Sequence, residues 1–348
     1  MPPLTAADRL AGGLVGLLVG DALGVPFEFR PAIELPPAAA LDFATPPGFD
    51  RSHPGTPPGT WSDDGAQALC LLASLLDGQA LDLADFAQRL LDWRWQGRWA
   101  VDGRVFDVGA QTQRALAALV QGTPPDRAGG TGAYDNGNGS LMRVLPLALW
   151  HTGEDAALAR DAARQSLPTH GHPRAQVACA LYCLWARAEL AGVAHGWDAA
   201  AARLRALAPT LGFPAIEVER VLDPGLALLA TGAGYVLDTL YVAKNAMSQA
   251  TDYASAVRTA IAVGNDTDTT AAVTGGIAGL RYGLGAIPES WRTGLRGQDL
   301  LRPLLHALLV RAGAADPWPL GLPPMPTIAT PVGGWARLWQ TVRSITRR

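Results

Sequence analysis

Glycine recurs at every fourth position along an otherwise apolar stretch: Gly12, Gly16, Gly20 and Gly24. Residues four apart share one helix face, so residues 4–24 read as a buried helix whose small face lets a second backbone approach closely. The apolar run from Leu10 to Gly20 is too short to span a bilayer and has no basic leader, so the expectation is a core helix with no membrane role. The rest of the composition agrees. Hydrophobic residues make up 49% of the 348 and charged residues 17%, which suits a globular protein with a large core. The net charge of -3 offers no basic footprint for nucleic acid. Cys70, Cys179 and Cys183 sit in apolar helical patterns without zinc-type spacing, so they read as core thiols of a soluble, cytoplasmic protein.

The chemistry concentrates in residues 262–270, Ala-Val-Gly-Asn-Asp-Thr-Asp-Thr-Thr. Upstream, Tyr253, Ala256, Val257, Ala260 and Ile261 repeat at helical spacing, and Gly264 is suited to ending that helix in a left-handed conformation. Residues 271–280 read as a second helix. Asp266 and Asp268 then fall in a tight turn, where their carboxylates converge only if the backbone is non-helical. Carboxylates and threonine hydroxyls, Thr269 among them, would repel or lack partners in a dry turn, and a hard divalent cation resolves the conflict. Helix capping accounts for one Asp or Thr but not for the cluster. The spacing is not that of an EF-hand loop. A second acidic group, Ser62-Asp63-Asp64, opens an apolar helix through residue 76. Four aspartates carry a charge of about −4, which two divalent cations would neutralise.

Other candidates are weaker on the residues alone. Glu28 lies between Phe27 and Phe29 just past a proline, where apolar neighbours raise a carboxyl pKa; a chance loop glutamate fits as well. Residues 30–60 form a long Pro/Gly-rich loop, and such a loop in a compact domain is functional or mobile. Gly109 precedes a helix and could present backbone N–H groups to a phosphate, although a plain turn explains it. The Asn138-Gly139-Ser140 turn suits hydrogen bonds to ribose or phosphate, and equally suits a simple turn. His170 and His172 precede a helix over residues 175–191; without a third nitrogen or sulfur ligand they point to a ligand or a neighbouring turn and not to zinc. Residues 197–240 read as helices broken at Pro209, Pro214 and Pro224; apart from Lys244 and a mobile-looking Ala-Gly turn near Gly232, this part reads as scaffold. Almost no strand alternation is present, so the architecture expected is all-α. Residues 1–312 form its catalytic domain, and residues 313–348 a Pro/Gly linker with a short basic amphipathic segment.

Taken together, these motifs resemble the ADP-ribosylglycohydrolase family, in family order from about residue 10 to about residue 305. The resemblance implies a single, orthogonally packed all-helical domain with a binuclear Mg²⁺ or Mn²⁺ centre. It places the family's hydroxyl-Asp-Asp motif on Ser62, Asp63 and Asp64, and its Asp-x-Asp-Thr motif on Asp266, Asp268 and Thr269. Glu28 matches an acid–base glutamate; Gly109, Asn138, Gly139, Ser140 and His170 match positions lining the ADP-ribose site. Asp107, in Phe-Asp-Val-Gly, resembles a catalytic aspartate of the arginine-directed branch. Ser62 stands where Thr is common, and Asn265 where Gly is common. The expected activity is removal of ADP-ribose from a modified residue of a protein, arginine first, or from a small molecule, by cleavage at the distal ribose. Two alternatives stand beside it: a non-hydrolytic ADP-ribose-binding protein of the same fold, and a metal-dependent phosphohydrolase.

Overall fold

The computed structural model describes residues 4–314, except 224 and 227–229. The linker and basic segment expected from residue 313 onward therefore lie almost entirely outside the described residues, as does the break expected at Pro224. Everything below belongs to one compact unit, Met1–Pro317.

The chain is all-α. Fourteen α-helices are described: α1 (Ala6–Gly24), α2 (Asp63–Gly78), α3 (Leu83–Gln96), α4 (Ala110–Val120), α5 (Leu145–Trp150), α6 (Asp155–Arg164), α7 (Pro173–Leu190), α8 (Gly196–Leu211), α9 (Ala215–Val221), α10 (Val236–Gln249), α11 (Tyr253–Ile261), α12 (Thr267–Tyr282), α13 (Glu289–Gly294) and α14 (Gln298–Arg311). The strand content among the described residues is one antiparallel pair of two-residue strands, β1 (Arg30–Pro31) and β2 (Gly264–Asn265).

The glycine repeat of α1 finds its partner in α12. A Cβ on Gly12, Gly16 or Gly20 would run into the backbone carbonyls of Gly279, Gly275 and Ala271, and one on Gly24 into the backbone of Asp268. The pairing falls in α12 as it rises in α1, so the two helices are antiparallel and meet backbone to backbone. Buried hydroxyls tie the seam: Tyr253 donates to the Gly16 carbonyl at 2.7 Å and Thr267 to the Gly24 carbonyl at 2.8 Å. The apolar stretch is longer than the sequence alone indicated. Residues Ala6–Phe27 are long and apolar enough to cross a membrane by length and composition, yet here every residue from Leu10 to Phe27 is buried inside the fold.

This seam sets the site. It brings the C-terminal end of α1, and Glu28 just beyond it, against the N-terminal end of α12. The β1–β2 pair clips the same two segments together, with Arg30 opposite Asn265 and Pro31 opposite Gly264. Phe29 adds an N–H bond to the Asn265 carbonyl at 2.7 Å. Asp21, a carboxylate inside α1, accepts the backbone N–H groups of Ser62 and Gly65 at 2.8 Å each, which docks the start of α2 on the same spot.

Two boundaries differ from expectation. α12 starts at Thr267 and not near residue 271, so Asp268 is in its first helical turn while Asp266 sits in the cap position. Acidic residues are favoured there by the helix dipole, and the Thr270 hydroxyl bonds back to the Asp266 carbonyl at 2.9 Å. The non-helical backbone that lets the two carboxylates converge is confined to Gly264, Asn265 and Asp266. Pro209 does not break its helix; it lies exposed in the last turn of α8, where the carbonyl it leaves unbonded can meet water.

Candidate active site

Where α1, α2 and α12 converge lies a cavity of about 280 Å³. Its floor is acidic. Glu28, Asp63 and Asp266 line it together with Asp107 and Thr269, while Asp64 and Asp268 lie fully buried directly beneath. Carboxylate oxygens of Glu28, Asp266 and Asp268 fall within 4.8 Å of one another, and so do ligand atoms of Glu28, His53 and Asp107. The two sequence-distant aspartate pairs and Glu28 thus form one cluster.

Each carboxylate is held by local structure. Ser62 caps α2, accepting the Asp64 N–H at 3.3 Å and donating to Asp64 Oδ2 at 3.3 Å, so its hydroxyl is already directed at Asp64. Thr269 donates to the same oxygen at 3.4 Å from across the cluster. Asp63 Oδ2 accepts from the Gln67 amide at 2.7 Å; that amide's oxygen in turn accepts from Arg143 at 2.8 Å. Arg143 is completely buried, and desolvation pulls its guanidinium down to about 10. Asp266 Oδ2 accepts from the Asn138 side chain at 2.8 Å.

So many acids in one dry place oppose their own ionisation. Burial pushes the carboxyls of Asp63, Asp64 and Asp268 well above the ordinary range, and each is pushed further by its acidic neighbours. Burial raises Asp21 to about 7 despite its two backbone donors. Glu28 rises to about 11, first from burial and then from Asp107, Asp266 and Asp63. Asp107 is also raised by burial, and its ligand atoms lie within 4.8 Å of those of Glu28 and His53. Two buried oxygens, Asp64 Oδ1 and Asp268 Oδ2, have no hydrogen-bond partner at all. Orphaned, all-oxygen and anionic, this donor set fits hard divalent cations.

The cavity walls come from loops and helix starts. Gly109 precedes α4, whose first residues Ala110, Gln111 and Thr112 face the cavity. Gly137, Asn138 and Gly139 form the opposite wall, and His170 packs beneath them: a Cβ on Gly139 would lie 2.7 Å from His170 Cε1. Burial, with Arg143 and Arg114 nearby, keeps the His170 imidazole well below its usual pKa and therefore neutral. Ser140 does not reach the cavity. It is fully buried behind the wall, accepting from the Ser166 hydroxyl at 2.8 Å, while its carbonyl accepts from Gln165 at 3.1 Å. The turn must send one side chain inward, and here it is Ser140. His172 caps α7 by accepting the Arg174 N–H at 3.1 Å and takes no part.

Sequence reasoning missed five contributors. Asp21 carried a usable signal, a carboxylate inside an otherwise apolar helix. His53 carried none: it comes from the aperiodic 30–60 loop, and its Nε2 lies 2.6 Å from Glu28 Oε2. Gln111 braces the wall by accepting the Gly137 N–H at 3.1 Å. Phe29 stands at the rim. The Ala-Gly turn near Gly232, read as mobile and not as part of a site, reaches it: the Gly232 carbonyl accepts the Asp266 N–H at 2.8 Å, and Gly234 lines the cavity.

Known proteins match this chain along nearly the whole of its described length. The family model described as ADP-ribosylglycohydrolase matches residues 2–317. An ADP-ribosylarginine hydrolase Tri1 of Pseudomonas putida (strain GB-1) is 30% identical over 328 residues, covering 91% of this chain and 82% of the relative. The ADP-ribosyl-[dinitrogen reductase] glycohydrolase of Rhodospirillum rubrum is 28% identical, covering 88% of this chain and 97% of its own length. A solved structure, described as an ADP-ribosylglycohydrolase-related protein complex, superposes with a TM-score of 0.68 at 34% identity, covering 88% of this chain and 98% of the other. A match over nearly the whole described unit, with the acidic cluster assembled at its centre, makes this chain a member of the ADP-ribosylglycohydrolase family.

Proposed function

We propose that this glycohydrolase removes ADP-ribose from modified arginine, cleaving the glycosidic bond at the distal ribose with a binuclear Mg²⁺ or Mn²⁺ centre. The observation that carries the reading is the buried acidic floor with its two partnerless oxygens, Asp64 Oδ1 and Asp268 Oδ2, beneath a cavity of ligand size. Asp63, Asp64, Asp266 and Asp268, with the Ser62 and Thr269 hydroxyls, would hold the ions. Such ions, when bound, supply Lewis acidity toward ribose and water oxygens and balance the charge of the floor.

The chain's own residues divide the remaining work. The glycosidic bond breaks through an oxocarbenium-like transition state, which a floor of carboxylates favours. Water supplies a hydroxyl to the anomeric carbon, and its proton ends on the departing guanidine. Glu28, beside His53, is placed to hold and pass that proton at Oε2. Asp107 offers two carboxylate oxygens to the paired N–H groups of a guanidine leaving group. Asn138, Gly139 and His170 lie along the ribose path, and the start of α4 after Gly109 presents N–H groups toward phosphate. A second cavity of about 330 Å³ shares Gly137 and Gly234 with the first and is flanked by Tyr134 and Tyr235, which suits the base. The three buried, unpaired cysteines support a reducing, cytoplasmic setting.

The test is incubation with ADP-ribosyl-arginine and ADP-ribosyl-serine peptides, with and without Mg²⁺ or Mn²⁺, read by mass spectrometry. Metal-dependent release of ADP-ribose from the arginine peptide is expected. Release of AMP would identify a phosphohydrolase instead, and binding without turnover a regulatory protein of the same fold.

A further inference from the structure

Phe29 is an unusual residue for its place. Its ring is 67% exposed although it follows directly on the buried Glu28, and it lines the mouth of the acidic cavity. Its backbone is left-handed, with φ of 61°, a conformation that costs a bulky residue energy and is held here by the bond from the Phe29 N–H to the Asn265 carbonyl. The fold thus keeps a large apolar ring in water at the rim, where burying it inward would be favourable. The ring has company on one side. It lies 5.7 Å from the His53 imidazole, which in turn lies 5.0 Å from the Phe106 ring. A row of three flat rings therefore borders the Glu28 and Asp107 carboxylates. Two of the cations near this rim are engaged elsewhere: Arg30 with Asp50 and Glu34, and Arg104 with the Gly55 carbonyl.

We propose that Phe29 is the acceptor platform of the site: its exposed face receives the planar, cationic guanidinium of the modified arginine while Asp107 binds the edge. A guanidinium stacks on an aromatic face and bonds a carboxylate in its own plane, so ring and acid recognise it together. A serine acceptor has neither a plane nor a charge to use them. The assignment rests on the arginine reading above and adds to it the residue that selects the acceptor.

Two variants remove the ring without asking the fold for new strain. Phe29→Leu keeps an apolar side chain, and Phe29→Gly relaxes the left-handed backbone. With metal present, kcat/KM for an ADP-ribosyl-arginine peptide is expected to fall about tenfold in both, equivalent to ~1.4 kcal/mol. Phe29→Tyr should recover most of that loss. The dissociation constant for free ADP-ribose, measured by calorimetry, should stay within about twofold, because ADP-ribose has no acceptor. Unchanged arginine kinetics in both variants overturn the proposal and leave the arginine reading intact. A parallel loss of ADP-ribose affinity also overturns it, assigning Phe29 to the ribose. Wild-type activity confined to the serine peptide overturns the arginine reading and this assignment together.

Discussion

The two sides of the acidic cluster are built differently. Asp63, Asp64 and Asp268 stand in the first turns of α2 and α12, and Asp266 at the cap of α12; both helices are locked to α1, by Asp21 and by backbone contact. Glu28, His53, Asp107 and Phe29 stand on loops, and three of these four have left-handed backbones: Phe29, His53 and Asp107. The helix side holds charge in fixed places, as the proposed metal centre would require. The loop side places groups at angles that regular structure does not offer, as the proposed proton transfer and acceptor choice would require. Changes on the helix side should therefore show first in ion binding and stability, and changes on the loop side in kinetics.

The sharpest break in that division comes from Glu28→Gln. It keeps the side chain's size and removes its proton, so kcat should fall by about a hundredfold or more while ADP-ribose affinity, read by calorimetry, changes little. If affinity collapses with turnover, Glu28 belongs to the ion or ribose site and the division fails at its centre. On the helix side, saturating Mg²⁺ or Mn²⁺ should stabilise the native state by roughly 2.7 kcal/mol per site at 100 times the dissociation constant. The rise in melting temperature should be mostly lost in the Asp266→Asn/Asp268→Asn double variant; an equal rise in both proteins would remove the ions from this turn. Asp107→Ala should cut arginine-peptide turnover by about tenfold or more, ~1.4 kcal/mol, and keep the metal-induced shift in melting temperature. Normal kinetics with a small loss of stability would make Asp107 a structural loop residue. The smallest effect belongs to Asn265→Gly. Glycine adopts the φ of 63° freely, but the bond from the Asn265 side chain to the Thr231 carbonyl is lost, so denaturation should report a change within ~1 kcal/mol.

The same contrast explains what could be read from the chain. Asp63, Asp64, Asp266 and Asp268 were legible because charge is costly beside apolar helices and recurs there in pairs. The α1 seam was legible because a four-residue glycine period has few other uses. The helix partner of that seam was not, since α12 begins with Thr and Asp residues that also suit a turn, and its small residues carry no strong period. His53 left no trace and Phe29 showed only as an apolar neighbour of Glu28, because a loop's geometry is fixed by distant contacts such as the Phe29 bond to Asn265 and not by its own composition. Ser140 misled for a related reason: a turn of polar residues tells which groups can bond, but not which of them faces inward. Asn265, standing where glycine is common, adopts the left-handed backbone all the same, a conformation that Asn tolerates better than most residues.

A chain is synthesised from its N-terminus, and α1 is made long before the helix that covers it. Roughly 240 residues separate the end of α1 from the start of α12, so at about 5–20 residues per second α1 waits ~12–50 s for its partner. Throughout that interval a segment apolar enough to enter a bilayer lacks the helix that covers its glycine face, although α2 can already dock on Asp21. Newly made chains of this protein are thus expected to depend on chaperone holding during translation. A premature stop before α12 would leave a product that aggregates or adheres to membranes instead of a partly active enzyme. The acidic floor, closed by the last helix of the seam, forms only once most of the protein already exists.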